Sequence, residues 1–144
     1  MSFFKAMDVS SSGMRAQRFR VDVATSNLAN AETTRGPDGG PWRRLDPILR
    51  SEPMDAGIGA RPSNGSVATV GVTVAGVSRD DSGGRPIYNP DHPDADEQGF
   101  VMLPNVNPIH EVVNLTSASR SYEANATAFE SVKMLARRAL DLLR

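Results

Sequence analysis

The stretch that decides the fold is "PIHEVVNLTSASRSYEANATAFESVKMLARRALDLL", residues 108–143. Leu115, Ala118, Tyr122, Asn125, Phe129, Val132, Ala136, Ala139 and Leu143 follow one another at alternating spacings of three and four. That is an unbroken seven-residue seam with no internal glycine or proline, the pattern of a helix built to lie along another helix. Asn107 suits the N-cap and Pro108 the first turn, where a missing N–H costs nothing. At 1.5 Å per residue such a helix is roughly 54 Å long, about three times the ordinary globular length. A helix of that reach in a chain of 144 residues needs a partner.

The N-terminus offers one. Met7, Met14, Val21 and Leu28 recur every seven residues, with Ser10, Gln17, Ala24 and Ala31 three positions later. One seam position is apolar and the other weak. "SSSG" at 10–13 is poor helix material, Gly13 alone costing about 1 kcal/mol relative to alanine. Alanine-rich seams bury little area, at about 25 cal/mol per Å² of apolar surface. Polar seam residues such as Ser10, Gln17 and Asn125 lower stability and set register and partner. The pair is therefore marginal alone and gains from further helices, although an ordinary hairpin buried in a monomer has the same pattern.

Between the helices the composition changes. Eleven of twelve glycines and nine of ten prolines lie between residues 33 and 107. Both residues punctuate helices. "SVATVGVTVAGVSRD" (66–80) alternates with period two, and "RRLDPILRS", "RPIYNP" and "QGFVMLP" are shorter candidate strands bounded by turn residues. "TTRGPDGGP", "GIGARPSNGS" and "DDSGG" read as loops. The expected fold is α+β: residues 1–32 and 108–144 as helices forming an antiparallel coiled-coil pair, and 33–107 as a small β-rich middle.

Composition excludes more than it suggests. The net charge of −1 gives no electrostatic support for a nucleic-acid partner. The adjacent pairs Arg43–Arg44 and Arg137–Arg138 read as solvated surface. With no cysteine there are no disulfides, thiolate nucleophiles or Cys-based metal sites. The acidic "NPDHPDADEQG" (89–99) can be set against a calcium loop, with Asp94 and Asp96 at positions one and three. Position twelve is then Asn105, so the bidentate glutamate is missing. No nucleophile elbow or phosphate loop occurs. The expectation is a non-enzymatic protein with no cofactor, no metal and no small-molecule substrate. No apolar run has the length of a signal peptide or membrane span, which predicts a soluble chain or one that leaves the cytoplasm without a cleaved signal.

"ATSNLANAETT" (24–34) carries a resemblance. Ser26, Asn27, Leu28, Ala29, Asn30 and Thr33 resemble the signature that closes the N-terminal helix in the flagellar axial proteins, the rod, hook and hook-associated families. "YNPDHPDADEQGFVMLPNVNP" (88–108) and its continuation into the last helix look like the proximal rod subunits of that superfamily. Residues 36–80 match only loosely. The resemblance implies a subunit of the basal-body rod, a hollow shaft that transmits torque and conducts exported subunits. It implies export through the flagellar type III apparatus, a location spanning the periplasm, and contacts with its own copies, other rod proteins and the adaptor joining rod to membrane ring. In this reading Asn30 ends the helix in a left-handed conformation and Asn27 offers its amide to a turn or to a neighbouring subunit. Two other readings fit the residues alone: a soluble coiled-coil adaptor binding a single partner helix, and a small metal-dependent hydrolase on the acidic loop.

Overall fold

The computed structural model describes residues 3–54 and 69–142. In chain order it contains α1 (Phe3–Ala29), β1 (Leu45–Pro53), β2 (Val70–Arg79), β3 (Arg85–Tyr88), β4 (Phe100–Leu103) and α2 (Pro108–Asp141). The fold is α+β, two long helices with two two-stranded sheets between them. All four expected strands form. The loops "TTRGPDGGP" and "DDSGG" join elements as expected, whereas "GIGARPSNGS" lies outside the described residues.

β1 pairs with β2. At the two ends of this ladder Asp80 N donates to Arg44 O at 2.8 Å and Met54 N to Thr69 O at 2.7 Å, so the strands run antiparallel. β3 and β4 form a second antiparallel pair, with Pro86 opposite Met102 and Tyr88 opposite Phe100. Gly99 closes the hairpin loop at φ +83°, a conformation glycine adopts without penalty. At the open end of the hairpin Gly84 precedes β3, and a Cβ there would collide with the carbonyl oxygen of Leu103.

The helices are antiparallel. Gly13 on α1 lies against Asn125 on α2, and Asn27 hydrogen-bonds Glu111. Fourteen residues forward along α1 correspond to fourteen residues back along α2. The described chain packs as two compact units, and each draws on both helices.

The first unit comprises Met1–Phe19, Ile48–Gly76 and Ser117–Arg144. Its packing explains why α1 runs unbroken through "SSSG". Ser10 Oγ donates to Ala6 O at 3.1 Å and Ser12 Oγ to Val9 O at 2.7 Å, so both hydroxyls are satisfied within the helix. Ser12 is buried and its Oγ also accepts from Val72 N of β2 at 3.1 Å. Gly71 faces it, and a Cβ there would stand 3.0 Å from Ser12 Oγ. A Cβ on Gly13 would stand 2.7 Å from Asn125 Oδ1. The residues that weaken the helix locally are those whose small size admits a strand and a second helix. Propensity loses here to close approach, as it routinely does in tertiary context.

The second unit comprises Arg20–Pro47 and Val77–Thr116. It holds the last turns of α1, the start of β1, the β3–β4 hairpin and the first turns of α2. Val23, Ala24, Ala31, Val101, Pro104 and Val106 are its buried apolar residues. Tyr88 and Phe100 meet edge to face with ring centroids 5.4 Å apart, a favoured aromatic geometry.

Candidate functional site

The second unit is organised around one side chain. Asn27, two residues before the end of α1, is fully buried, with 0% of its surface exposed. Its Nδ2 donates to Leu45 O at 2.8 Å and to Glu111 Oε2 at 3.3 Å. Its Oδ1 accepts from Leu45 N at 2.9 Å and Trp42 Nε1 at 3.4 Å. A carboxamide has two donor hydrogens and two acceptor lone pairs, and all four are used. Towards Leu45 the amide behaves as a neighbouring strand does, taking both the N–H and the C=O of the residue that opens β1. The backbone where the loop becomes a strand is thereby pinned to the helix that preceded it.

Glu111 is the second member. It sits in the first turn of α2, where a negative charge meets the positive end of the helix dipole. That turn is placed by Asn107, whose Oδ1 accepts from Ile109 N at 3.0 Å and His110 N at 3.4 Å, ahead of Pro108. Glu111 is 2% exposed and its Oε1 receives Arg44 Nε at 2.7 Å. Arg44 also reaches Asp46 Oδ2. Partial burial alone would lower the Arg44 pKa, but the hydrogen bond and charge of Glu111, with the charge of Asp46, raise it above its ordinary value. The guanidinium is thus a permanent cation beside a buried carboxylate. A chain of Arg44, Glu111, Asn27 and the Leu45 backbone ties α1, β1 and α2 together.

The rest of the "ATSNLANAETT" motif ends the helix. Ser26 O accepts from Asn30 N at 3.1 Å and Asn30 Nδ2 at 2.8 Å. Ala31 N turns back to Leu28 O, Thr33 N to Asn30 O, and Thr33 Oγ1 donates to Asn30 Oδ1 at 3.2 Å. Among the described residues only Gly39 and Gly99 have positive φ, so Asn30 does not stop α1 in a left-handed conformation. The backbone tightens instead, Asn30 N and Ala31 N reaching carbonyls three residues back, while the Asn30 side chain adds a second donor to Ser26 O. Asn27 reaches a strand and a second helix of its own chain. Ala29 is exposed and Leu28 half-buried.

The acidic loop is fastened to the segment that follows the motif. Asp94 accepts from Thr34 Oγ1 at 2.8 Å and pairs with Arg35 at 2.7 Å. Asp96 Oδ1 accepts from the amides of Gln98 and Phe100, and His92 Nδ1 from Asp94 N at 3.1 Å. These polar atoms serve turns and tethers. Asp80 plays a similar part nearby. The hydroxyl and then the amide of Ser82, followed more weakly by the charge of Arg44, hold its carboxyl below the ordinary range against the opposing effect of desolvation.

The seam residues take a range of burials. Met7, Met14, Val21 and Leu28 are half-buried on α1, where the buried positions are Ser10, Ser12, Ala16, Val23, Ala24 and Asn27, with Ala31 buried just past its end. On α2 Ala118 is fully buried. Leu115, Asn125, Phe129, Val132, Ala136 and Ala139 are half-buried, Tyr122 is exposed, and Leu143 lies outside the described residues. Sequence reasoning missed Trp42, Arg44 and Glu111. Only Glu111, an acid in the first turn after an Asn-Pro cap, carried a local signal.

Comparison with known proteins places this arrangement. Residues 7–37 match the family model described as "Flagella basal body rod protein", and residues 97–142 match "Flagellar basal body rod FlgEFG protein C-terminal". Both helices and the motif at the end of α1 therefore belong to a flagellar basal-body rod protein, a structural class and not an enzyme. The flagellar basal-body rod protein FlgC of Borreliella burgdorferi is 40% identical, over 100% of this chain and 99% of its own length. FlgC of Bacillus subtilis is 40% identical, over 99% of each chain. FlgC of Salmonella typhimurium is 39% identical, over 99% of this chain and 98% of its own. The chain belongs to the FlgC family of rod proteins. It is a structural subunit of the flagellar basal body, serves motility, and assembles with its own kind and other rod components.

Proposed function

We propose that copies of this chain, together with other axial proteins, build a hollow segment of the rod that carries torque and passes exported subunits along its bore. The carrying observation is the apolar surface the lone chain leaves bare. In the second unit Ile109, Val112 and Val113 are exposed along the first turns of α2. In the first unit Phe3 and Phe4 on α1 and Met134, Leu135 and Leu140 on α2 are exposed. Burying one such side chain is worth about 1.5–3 kcal/mol, so neighbouring helices supply what the single subunit lacks. In this reading the seam from Met7 to Leu28 and from Leu115 to Leu143 pairs within an inner helical layer, and residues 33–107 pack outside it. The Ser26–Thr33 motif fixes where the inner helix stops and the outer segment starts.

The same reading takes the chain through the flagellar type III export apparatus without a cleaved signal peptide, into a rod that spans the periplasm and meets the adaptor at the membrane ring. Marginal terminal helices suit this route, because segments that order only on assembly can be threaded first.

Val113→Glu separates assembly from folding. The side chain is 60% exposed, so the purified variant should keep the parent's denaturation midpoint. Cells relying on it should secrete the subunit and fail to swim. Normal swimming with this variant would contradict assembly through that face.

A further inference from the structure

The β3–β4 hairpin presents an apolar face that its own unit leaves uncovered. The register puts Pro86 with Met102 and Tyr88 with Phe100 on one side of the pair. Tyr88 is 65% exposed, and Met102 and Phe100 are exposed beside it. The loop at the end of this hairpin adds Asp91 and Glu97, both exposed and both without an ion-pair partner among the described residues. The surface is aromatic with an acidic rim.

The end of α2 carries the complement. Met134 and Leu135 precede Arg138 by four and three residues and Leu142, one residue past α2, follows it by four, its amide bonded to Arg138 O, which puts all four on one side of the helix end. All four are exposed, Leu142 at 88%. The guanidinium of Arg138 has no acidic partner in the described chain. The surface is therefore aliphatic with a central cation.

We propose that the hairpin face of one copy receives the α2 end of a second copy of this chain, with Arg138 over the Tyr88 and Phe100 rings and against Glu97 and Asp91. This rests on the rod-subunit reading above and names a contact within it. Charge complementarity argues for the second copy, since both halves of the match are borne by this chain. Arginine on exposed aromatic rings, flanked by carboxylates and aliphatic side chains, is the composition of an interface hot spot. Because the two patches differ, the contact is heterologous. It propagates from copy to copy and does not close on itself as a two-fold dimer does.

A charge swap in cells whose only copy is the variant tests it. Glu97→Arg and Arg138→Glu should each reduce swimming at least tenfold, and the double variant should recover most of it. In basal bodies purified from cells carrying Glu97→Cys and Leu142→Cys in one chain, oxidation should yield products at whole multiples of the chain mass, from twice upward. Full swimming of both single variants, no recovery in the double variant, or a crosslink to a protein of different mass would each overturn the contact. Cells lacking the chain should not swim. Were they to swim, the rod-subunit reading would fall first, independently of the swap.

Discussion

Asn27→Ala should cost about 3–5 kcal/mol of stability, because four groups lose a buried partner together. The Leu45 amide and carbonyl, the Trp42 indole N–H and one oxygen of Glu111 all bond to that single carboxamide. Leaving each unsatisfied carries its own desolvation penalty, and a whole domain has only about 5–15 kcal/mol to lose. Denaturant titration followed by Trp42 fluorescence reads the effect at the site, since Trp42 is the only tryptophan. A loss below about 1 kcal/mol would mean the four bonds are replaced by water at little expense. Asn27→Asp sharpens the result. It keeps the acceptor role, loses both donations and sets a carboxylate 3.3 Å from Glu111. A carboxyl facing another carboxylate has its folded pKa raised. Its favourable contribution is then fully present below the unfolded value and lost as pH rises through the folded one. The aspartate variant should be as damaged as the alanine variant at neutral pH and should recover on mild acidification, which the alanine variant does not.

Arg44→Met should be nearly as damaging, for a different reason. The guanidinium is 23% exposed and its carboxylate partner 2%. Removing the cation leaves a buried, uncompensated charge, a loss of about 3–5 kcal/mol. Replacing both partners by apolar groups removes the charge as well as its counterion. Arg44→Met with Glu111→Leu should therefore be more stable than Arg44→Met alone, even though Asn27 then keeps only the Leu45 carbonyl for its Nδ2. Equilibrium unfolding of the four proteins forms a double-mutant cycle. Losses that simply add would show that Arg44 and Glu111 are not coupled and that the buried ion pair is incidental.

The sequence made the architecture readable wherever periodicity was long. Thirty-four residues of α2 without an internal glycine or proline leave few alternatives to a helix, and the crowding of glycine and proline into 33–107 marks where helices cannot run. It was less readable where tertiary contact overrides local preference. "SSSG" looks like a weak point because propensity counts only the helix. The strand and helix that approach Ser12 and Gly13 come from residues 72 and 125. Arg44 looked like solvated surface because its partner lies 67 positions away. Asparagine type alone points to a left-handed stop at Asn30, but the last turn closes by tightened backbone bonds, with Thr33 Oγ1 donating to Asn30 Oδ1. Asn27 was singled out by its type and place, but its partners are set by long-range packing that no local window contains.

The two halves of the account meet in the helix pair. Small residues let α1 and α2 approach, a buried polar chain sets where the pairing begins, and the apolar side chains left over await neighbours. The most direct test is a disulfide across the pair inside the assembled rod. A Cβ on Gly13 would lie 3.0 Å from the Asn125 Cγ, near the position a cysteine sulfur would take. In a disulfide each Cβ stands about 3 Å from the far sulfur. The chain has no cysteines of its own. Gly13→Cys with Asn125→Cys should therefore form an intramolecular bond in purified basal bodies, visible as a faster-migrating band that reductant abolishes, in cells that still swim. Free thiols at both positions in swimming cells, under conditions that oxidise accessible pairs, would contradict the antiparallel pairing on which the account stands.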